Sequence, residues 1–239
     1  MENGIWILIG LGFPFAMTIA GAAIVLFFRK SITAATERLL MGLAAGIMMA
    51  ASFWSLLEPA IERAEQLGIP PALPAGVGVF AGAASLCLIQ MGTKQSAFVT
   101  AMVLHNIPEG MVVGLGFAAA IAGLESYSSA LAMAFGIGIQ NIPEGAAVAF
   151  PFVKRGMGRK RACAYGGLSG IVEPVFGGLV MLAAQACTVM MPWLLAFAAG
   201  AMIYVTVEEL LPEAQGGYEG STGFMGGFLC MMLLDVILG

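Results

Sequence analysis

The residues that could do chemistry crowd into one stretch, Leu104-His105-Asn106-Ile107-Pro108-Glu109-Gly110, where the only histidine of the chain sits in an otherwise apolar run. Nearly the same words return as Gln140-Asn141-Ile142-Pro143-Glu144-Gly145. Positions i, i+3 and i+4 share a helical face, so His105, Asn106 and Glu109 converge on one side, as do Gln140, Asn141 and Glu144. An imidazole, carboxylates and amide oxygens are borderline ligands that suit zinc, ferrous iron, manganese or cadmium, and are unlike the thiolate sets expected for cuprous copper. Two such faces brought together predict a polar pocket inside a hydrophobic body. That pocket would bind a divalent transition metal and pass it across a membrane.

The surroundings make these acids expensive. Of the 239 residues, 60% are hydrophobic and only 10% charged, with a mean hydropathy of +0.95, which excludes an ordinary soluble balance and predicts an integral membrane protein. An ionised carboxylate at the bilayer centre costs about 2.5 to 3.5 kcal/mol, so Glu109, Glu144 and Glu173 together would cost about 8 to 10 kcal/mol unpaired. No lysine or arginine lies mid-span to pair with them. Something cationic must visit, either a metal ion or protons. Pro108, Pro143 and Pro174 each withdraw a helical hydrogen bond, from the carbonyls of Leu104, Ile139 and Gly170, beside one of these polar side chains. Freed backbone at membrane depth is tolerated where it lines a cavity.

Positioning the motifs requires membrane-spanning helices of about 20 residues. The apolar runs fall at about Ile5–Phe28, Leu39–Leu57, Ala75–Gly92, Ala97–Leu124, Ser128–Val153, Ala162–Met190, Pro192–Leu211 and Thr222–Gly239. The fold class expected is therefore an all-α integral membrane protein of eight transmembrane helices in a single domain, residues 1–239. The first run has no basic lead-in and is long enough to span, so it predicts a helix rather than a cleaved signal. Cys87, Cys163, Cys187 and Cys230 lie in apolar runs without CxxC spacing and read as small hydrophobes. Cytoplasmic loops collect lysine and arginine. Placing both termini outside puts nine of the ten basic residues inside and leaves only Arg63 out. The loop between spans seven and eight is the exception, being acidic although it falls inside.

Spans four and five carry the same motif in opposite directions. A second echo joins Ala44-Ala45-Gly46-Ile47-Met48 in span two to Ala198-Ala199-Gly200-Ala201-Met202 in span seven. Inverted repeats of this kind, arranged 3+2+3 about kinked central helices four and five, are the architecture of many secondary transporters.

With Val172-Glu173-Pro174 and Glu208-Glu209-Leu210-Leu211-Pro212-Glu213 added to the paired motifs, the chain resembles the Zrt/Irt-like protein (ZIP) family of metal transporters, and is most similar to its bacterial GufA-like branch. The resemblance covers essentially all eight spans. It implies uptake of zinc and related divalent ions into the cytoplasm, with His105, Glu109, Gln140 and Glu144 forming one metal site. Asn106, Asn141, Glu173 and the shared Glu109 and Glu144 would form a neighbouring one. The family also brings a span-two methionine near the metal; Met48 is the match, on one helical stripe with Ala44, Ala51 and Ser55, which puts Ser55 on a candidate ion path. Two departures stand out. The loop Thr93–Ser96 is short and lacks the histidines many relatives carry there, and Gln140 and Asn141 replace histidine and acid found in some of them.

Glu208, Glu209 and Glu213 read either as an ion exit toward the cytoplasm or as a solvated helix end. Glu58, Glu62 and Glu65 read as outer surface charge that could steer cations inward. Two rival classes remain: an intramembrane metal-dependent hydrolase, which one histidine and no HExxH helix disfavour, and a proton-coupled transporter of another cation. The expected partners are divalent metal ions, with Cd2+ as a surrogate for Zn2+, and the lipid bilayer of the cell membrane. A homodimer is left open; nucleic acid is not expected.

Overall fold

A computed structural model describes residues 2–27, 33–92, 97–123, 126–183 and 189–238. Every regular element among them is a helix: α1 (Glu2–Phe27), α2 (Ala34–Ala51), α3 (Glu58–Gln66), α4 (Ala72–Gly92), α5 (Ala97–Ile121), α6 (Tyr127–Lys154), α7 (Arg159–Leu168), α8 (Val172–Leu182), α9 (Met191–Val205), α10 (Leu211–Ala214) and α11 (Tyr218–Leu238). Among the described residues, five helical stretches are long and apolar enough to cross a membrane: Gly4–Phe27, Ala34–Gln66, Arg159–Leu182, Met191–Ala214 and Tyr218–Ile237. Lipid offers the backbone no hydrogen bonds, which is why the chain satisfies them within helices.

The continuous stretches contain breaks. Between α2 and α3, Ser52–Leu57 is a π-helical turn, and between α9 and α10, Thr206–Leu210 is another. Their widened bonds run from the Glu58 amide to the Phe53 carbonyl and from the Leu211 amide to the Thr206 carbonyl. A proline follows each turn, Pro59 and Pro212, and lacks the amide that would continue an ordinary helix. At the head of each turn a hydroxyl bonds the carbonyl one turn back: Ser52 to Met48 at 2.7 Å and Thr206 to Met202 at 2.8 Å. Such back-bonding satisfies the carbonyl and favours bending. Between α7 and α8 the 3-10 turn Ser169–Ile171 falls where Pro174 withdraws its donor from Gly170.

The chain forms two compact units: Met1–Ile32 with Asn106–Ala184 and Leu238–Gly239, and Thr33–His105 with Gln185–Ile237. In the first, α1 runs along α6 and touches α7 and α8. Phe117 and Ala22 are fully buried there, and Phe13 and Phe135 meet edge to face at 4.4 Å. In the second, α4 packs on α9 and α2 on α11 through small residues. A side chain at Gly46 would strike the Phe224 carbonyl, and one at Gly200 the Val79 carbonyl, so both crossings are close backbone approaches. Gly46, Met48, Ser52 and Leu56 thus have counterparts in Gly200, Met202, Thr206 and Leu210, all at one chain offset and all buried. Cys87, Cys163 and Cys230 are free thiols, and Cys187 lies outside the described residues.

Candidate functional site

Within the first unit, α5 supplies Asn106 and Glu109, α6 supplies Asn141 and Glu144, and the first turn of α8 supplies Glu173. The i, i+3 spacing on each central helix places amide and acid on one face. All five are buried, none more than 2% exposed. Pro143 lies inside α6, so the polar cluster sits beside a backbone carbonyl that has lost its donor.

Two glycines set how close these helices come. A methyl group on Gly110, directly after Glu109, would run into the Glu173 carbonyl oxygen, and one on Gly145, directly after Glu144, would run into that of Thr18. Only bare backbone lets α5 meet α8, and α6 meet α1, at these points. The backbone that carries Glu109 consequently lies against the backbone of Glu173.

Hydrogen bonds then fix which atoms face the cluster. Asn106 Nδ2 donates to the Ser169 carbonyl at 3.2 Å, and Asn141 Nδ2 donates to Glu173 Oε2 at 2.8 Å. In these bonds each amide turns its nitrogen toward its acceptor and its oxygen away. Those oxygens, Asn106 Oδ1 and Asn141 Oδ1, are buried without a hydrogen-bond partner among the described residues. A buried acceptor left unsatisfied costs about 1 to 3 kcal/mol, and a hard or borderline cation relieves that cost. Glu173 is held at its other oxygen as well, where Thr18 Oγ1 lies 3.2 Å from Oε1.

Among the described residues no three His, Cys, Asp or Glu side chains gather closely enough to hold an ion by themselves. Among the described residues, the amide oxygens of Asn106 and Asn141 are the further polar atoms beside these acids. The backbones of His105 and Gln140 are helical, on α5 and α6, but their side chains, like that of Pro108, lie outside the described residues.

The remaining sequence candidates fall in the second unit. Met48 is fully buried, its carbonyl taken by Ser52. Ser55 donates to Asp235 Oδ1 at 2.8 Å. Glu208 is exposed in the second π-turn, and Glu209 accepts from Gln90 Nε2 at 3.3 Å. Tyr204 in turn donates to Gln90 Oε1. Glu213 is exposed on α10. Sequence reasoning missed Thr18, Ser169, Gln90 and Tyr204. For Thr18 a signal existed, since it is the sole hydroxyl of α1; the Ser169 contribution is a backbone carbonyl, which no side-chain pattern announces.

The family model described as "ZIP Zinc transporter" matches residues 88–235. Among individual proteins, the chain is 45% identical to "Zinc transporter GufA" of Myxococcus xanthus over 154 residues, covering 62% of this chain and 59% of that protein. It is 32% identical to "Zinc transporter ZIP11" of Homo sapiens, covering 97% of each. It is also 33% identical to "Zinc transporter ZIPB" of Bordetella bronchiseptica, covering 94% of this chain and 79% of that one.

Proposed function

The chain belongs to the ZIP zinc transporter family, and from that premise we propose that it carries zinc across the cell membrane into the cytoplasm by alternating access. The observation that carries the reading is the pair of buried amide oxygens, Asn106 Oδ1 and Asn141 Oδ1, left without a hydrogen-bond partner among the described residues while their amide nitrogens are engaged. Nothing else so directly asks for a cation. Zinc enters from the outer face, exchanges water for His105, Glu109, Gln140 and Glu144, and leaves inward when the central helices shift. Asn106, Asn141 and Glu173, with Glu109 and Glu144, form the adjoining site. Met48 is the methionine assigned to the metal, and Ser55, Glu208, Glu209 and Glu213 are the candidate ion path. Cadmium, iron and manganese suit the same donors.

The architecture we propose for this activity is one transmembrane domain of eight spans in a 3+2+3 inverted repeat, kinked at helices four and five, with both termini outside. Three features support the repeat. The π-turns at Ser52–Leu57 and Thr206–Leu210 share their hydroxyl back-bond and following proline. Gly46 and Gly200 make equivalent close crossings. Gly110 and Gly145, each following a site glutamate, do the same against α8 and α1. A homodimer is compatible with this arrangement. The hydrolase alternative loses its ground, because the family is one of transporters.

The test is the purified chain reconstituted in liposomes loaded with a zinc-sensitive dye. Added zinc should brighten the dye, and Glu144→Ala should abolish the signal. Dye that stays dark with the wild-type protein, or signal that survives in Glu144→Ala, overturns the proposal.

A further inference from the structure

We propose that Thr18, a residue of the first helix outside the paired motifs, is a positioning residue that aims the Glu173 carboxylate at the metal; the inference rests on the transport reading above. Thr18 is 1% exposed, and its Oγ1 lies 3.2 Å from both the Pro14 carbonyl and Glu173 Oε1. A threonine in an apolar helix ordinarily bonds only the carbonyl one turn back. Here its single proton has a second acceptor, on a side chain 155 residues away in the chain.

The surroundings are shaped for this contact. A Cβ at Gly170 would stand 2.7 Å from Glu173 Oε1 and 2.8 Å from Thr18 Oγ1, so a bare backbone in the 3-10 turn keeps open the notch in which the two meet. On its other side the Thr18 backbone carbonyl abuts Gly145, next in sequence to Glu144. Thr18 therefore touches the elements bearing two of the three site acids.

The consequence follows from the geometry of Glu173. Thr18 restrains Oε1 and Asn141 restrains Oε2, so the plane of the carboxylate is fixed and its remaining lone pairs keep one direction. The bond to Asn141 also fixes that amide's oxygen. Removing the Thr18 hydroxyl frees Oε1, lets the carboxylate swing about its last torsion, and loosens Asn141 with it. Partners of this kind that orient metal ligands typically govern affinity by about 10- to 100-fold when lost.

Thr18→Val keeps the shape and deletes the hydroxyl; Thr18→Ser restores it. In dye-loaded proteoliposomes, Thr18→Val should raise the half-saturating zinc concentration about tenfold while lowering maximal flux no more than about twofold. Thr18→Ser should return half-saturation to within about threefold of wild type. An unchanged half-saturation in Thr18→Val, whether flux is normal or merely reduced through poor folding, refutes the positioning role and leaves the transport reading intact. Failure of Thr18→Ser to restore affinity refutes it too. A wild-type protein that moves no zinc overturns both.

Discussion

Replacing Gly110 by alanine should damage zinc transport out of proportion to the methyl group added. That methyl would overlap the Glu173 carbonyl oxygen and stand 2.6 Å from its Cα and 2.7 Å from its carbonyl carbon, where ordinary contact is 3.4–4 Å. The obstacle is backbone, which cannot turn aside as a flexible side chain would. Helices α5 and α8 must therefore part by about 1 Å, at an overpacking cost of about 1 to 3 kcal/mol. The displacement falls between Glu109 and Glu173, whereas ligand distances around a metal tolerate only about 0.2 Å. Zinc uptake at subsaturating concentration should drop at least about tenfold, and up to about a hundredfold by analogy with other 1 Å misplacements. Gly178→Ala is the matched control on α8, because nothing lies within 4 Å of a methyl group there. Proteoliposome uptake gives the rate, and thermal unfolding in detergent gives the stability. Uptake by Gly110→Ala within twofold of wild type, or equal impairment in Gly178→Ala, would refute the close-approach reasoning.

Other consequences are simpler to state. His105→Ala should abolish or greatly slow zinc uptake while the protein still purifies and unfolds cooperatively; wild-type flux in this variant removes His105 from the site. Asn141→Leu keeps the volume but deletes both the donor to Glu173 and the buried oxygen, so it should lower stability by about 1 to 3 kcal/mol and eliminate measurable uptake. Retained uptake there would show that the amide oxygen is not a ligand. Ser52→Ala and Thr206→Val each remove one back-bond at a π-turn and should cost a similar amount, about 1 kcal/mol, in thermal unfolding. One silent and one severe result would break the equivalence of the two turns.

Much of the site could be read from sequence because its logic is local. Asn106 with Glu109, and Asn141 with Glu144, share a helical face by spacing alone, and carboxylates placed in so apolar a run point to a cation from composition alone. In the structure those four and Glu173 are all buried, and Asn141 is bonded to Glu173. What stayed hidden depends on tertiary approach. Gly110 and Gly145 read as small residues, but that one faces Glu173 and the other Thr18 follows only from the packing of α5 on α8 and of α6 on α1. Thr18 carries no motif of its own and gains meaning from a neighbour distant in the chain. The π-turns were foreshadowed by the echo of span two in span seven, yet a proline-withdrawn donor can be met by a kink, a 3-10 turn or a π-turn. The pairing of Ser52 and Thr206 with carbonyls one turn back is what accompanies the π-turn here.

The central claim, that a divalent ion occupies the cluster between the two motif helices, is met most directly by crystals soaked in cadmium and read by anomalous scattering. A strong peak in contact with Glu109 and Glu144, and with Asn106 Oδ1 or Asn141 Oδ1, is the result this account predicts. Peaks confined to surface acids such as Glu58 and Glu62, with nothing beside the buried amide oxygens, would contradict it.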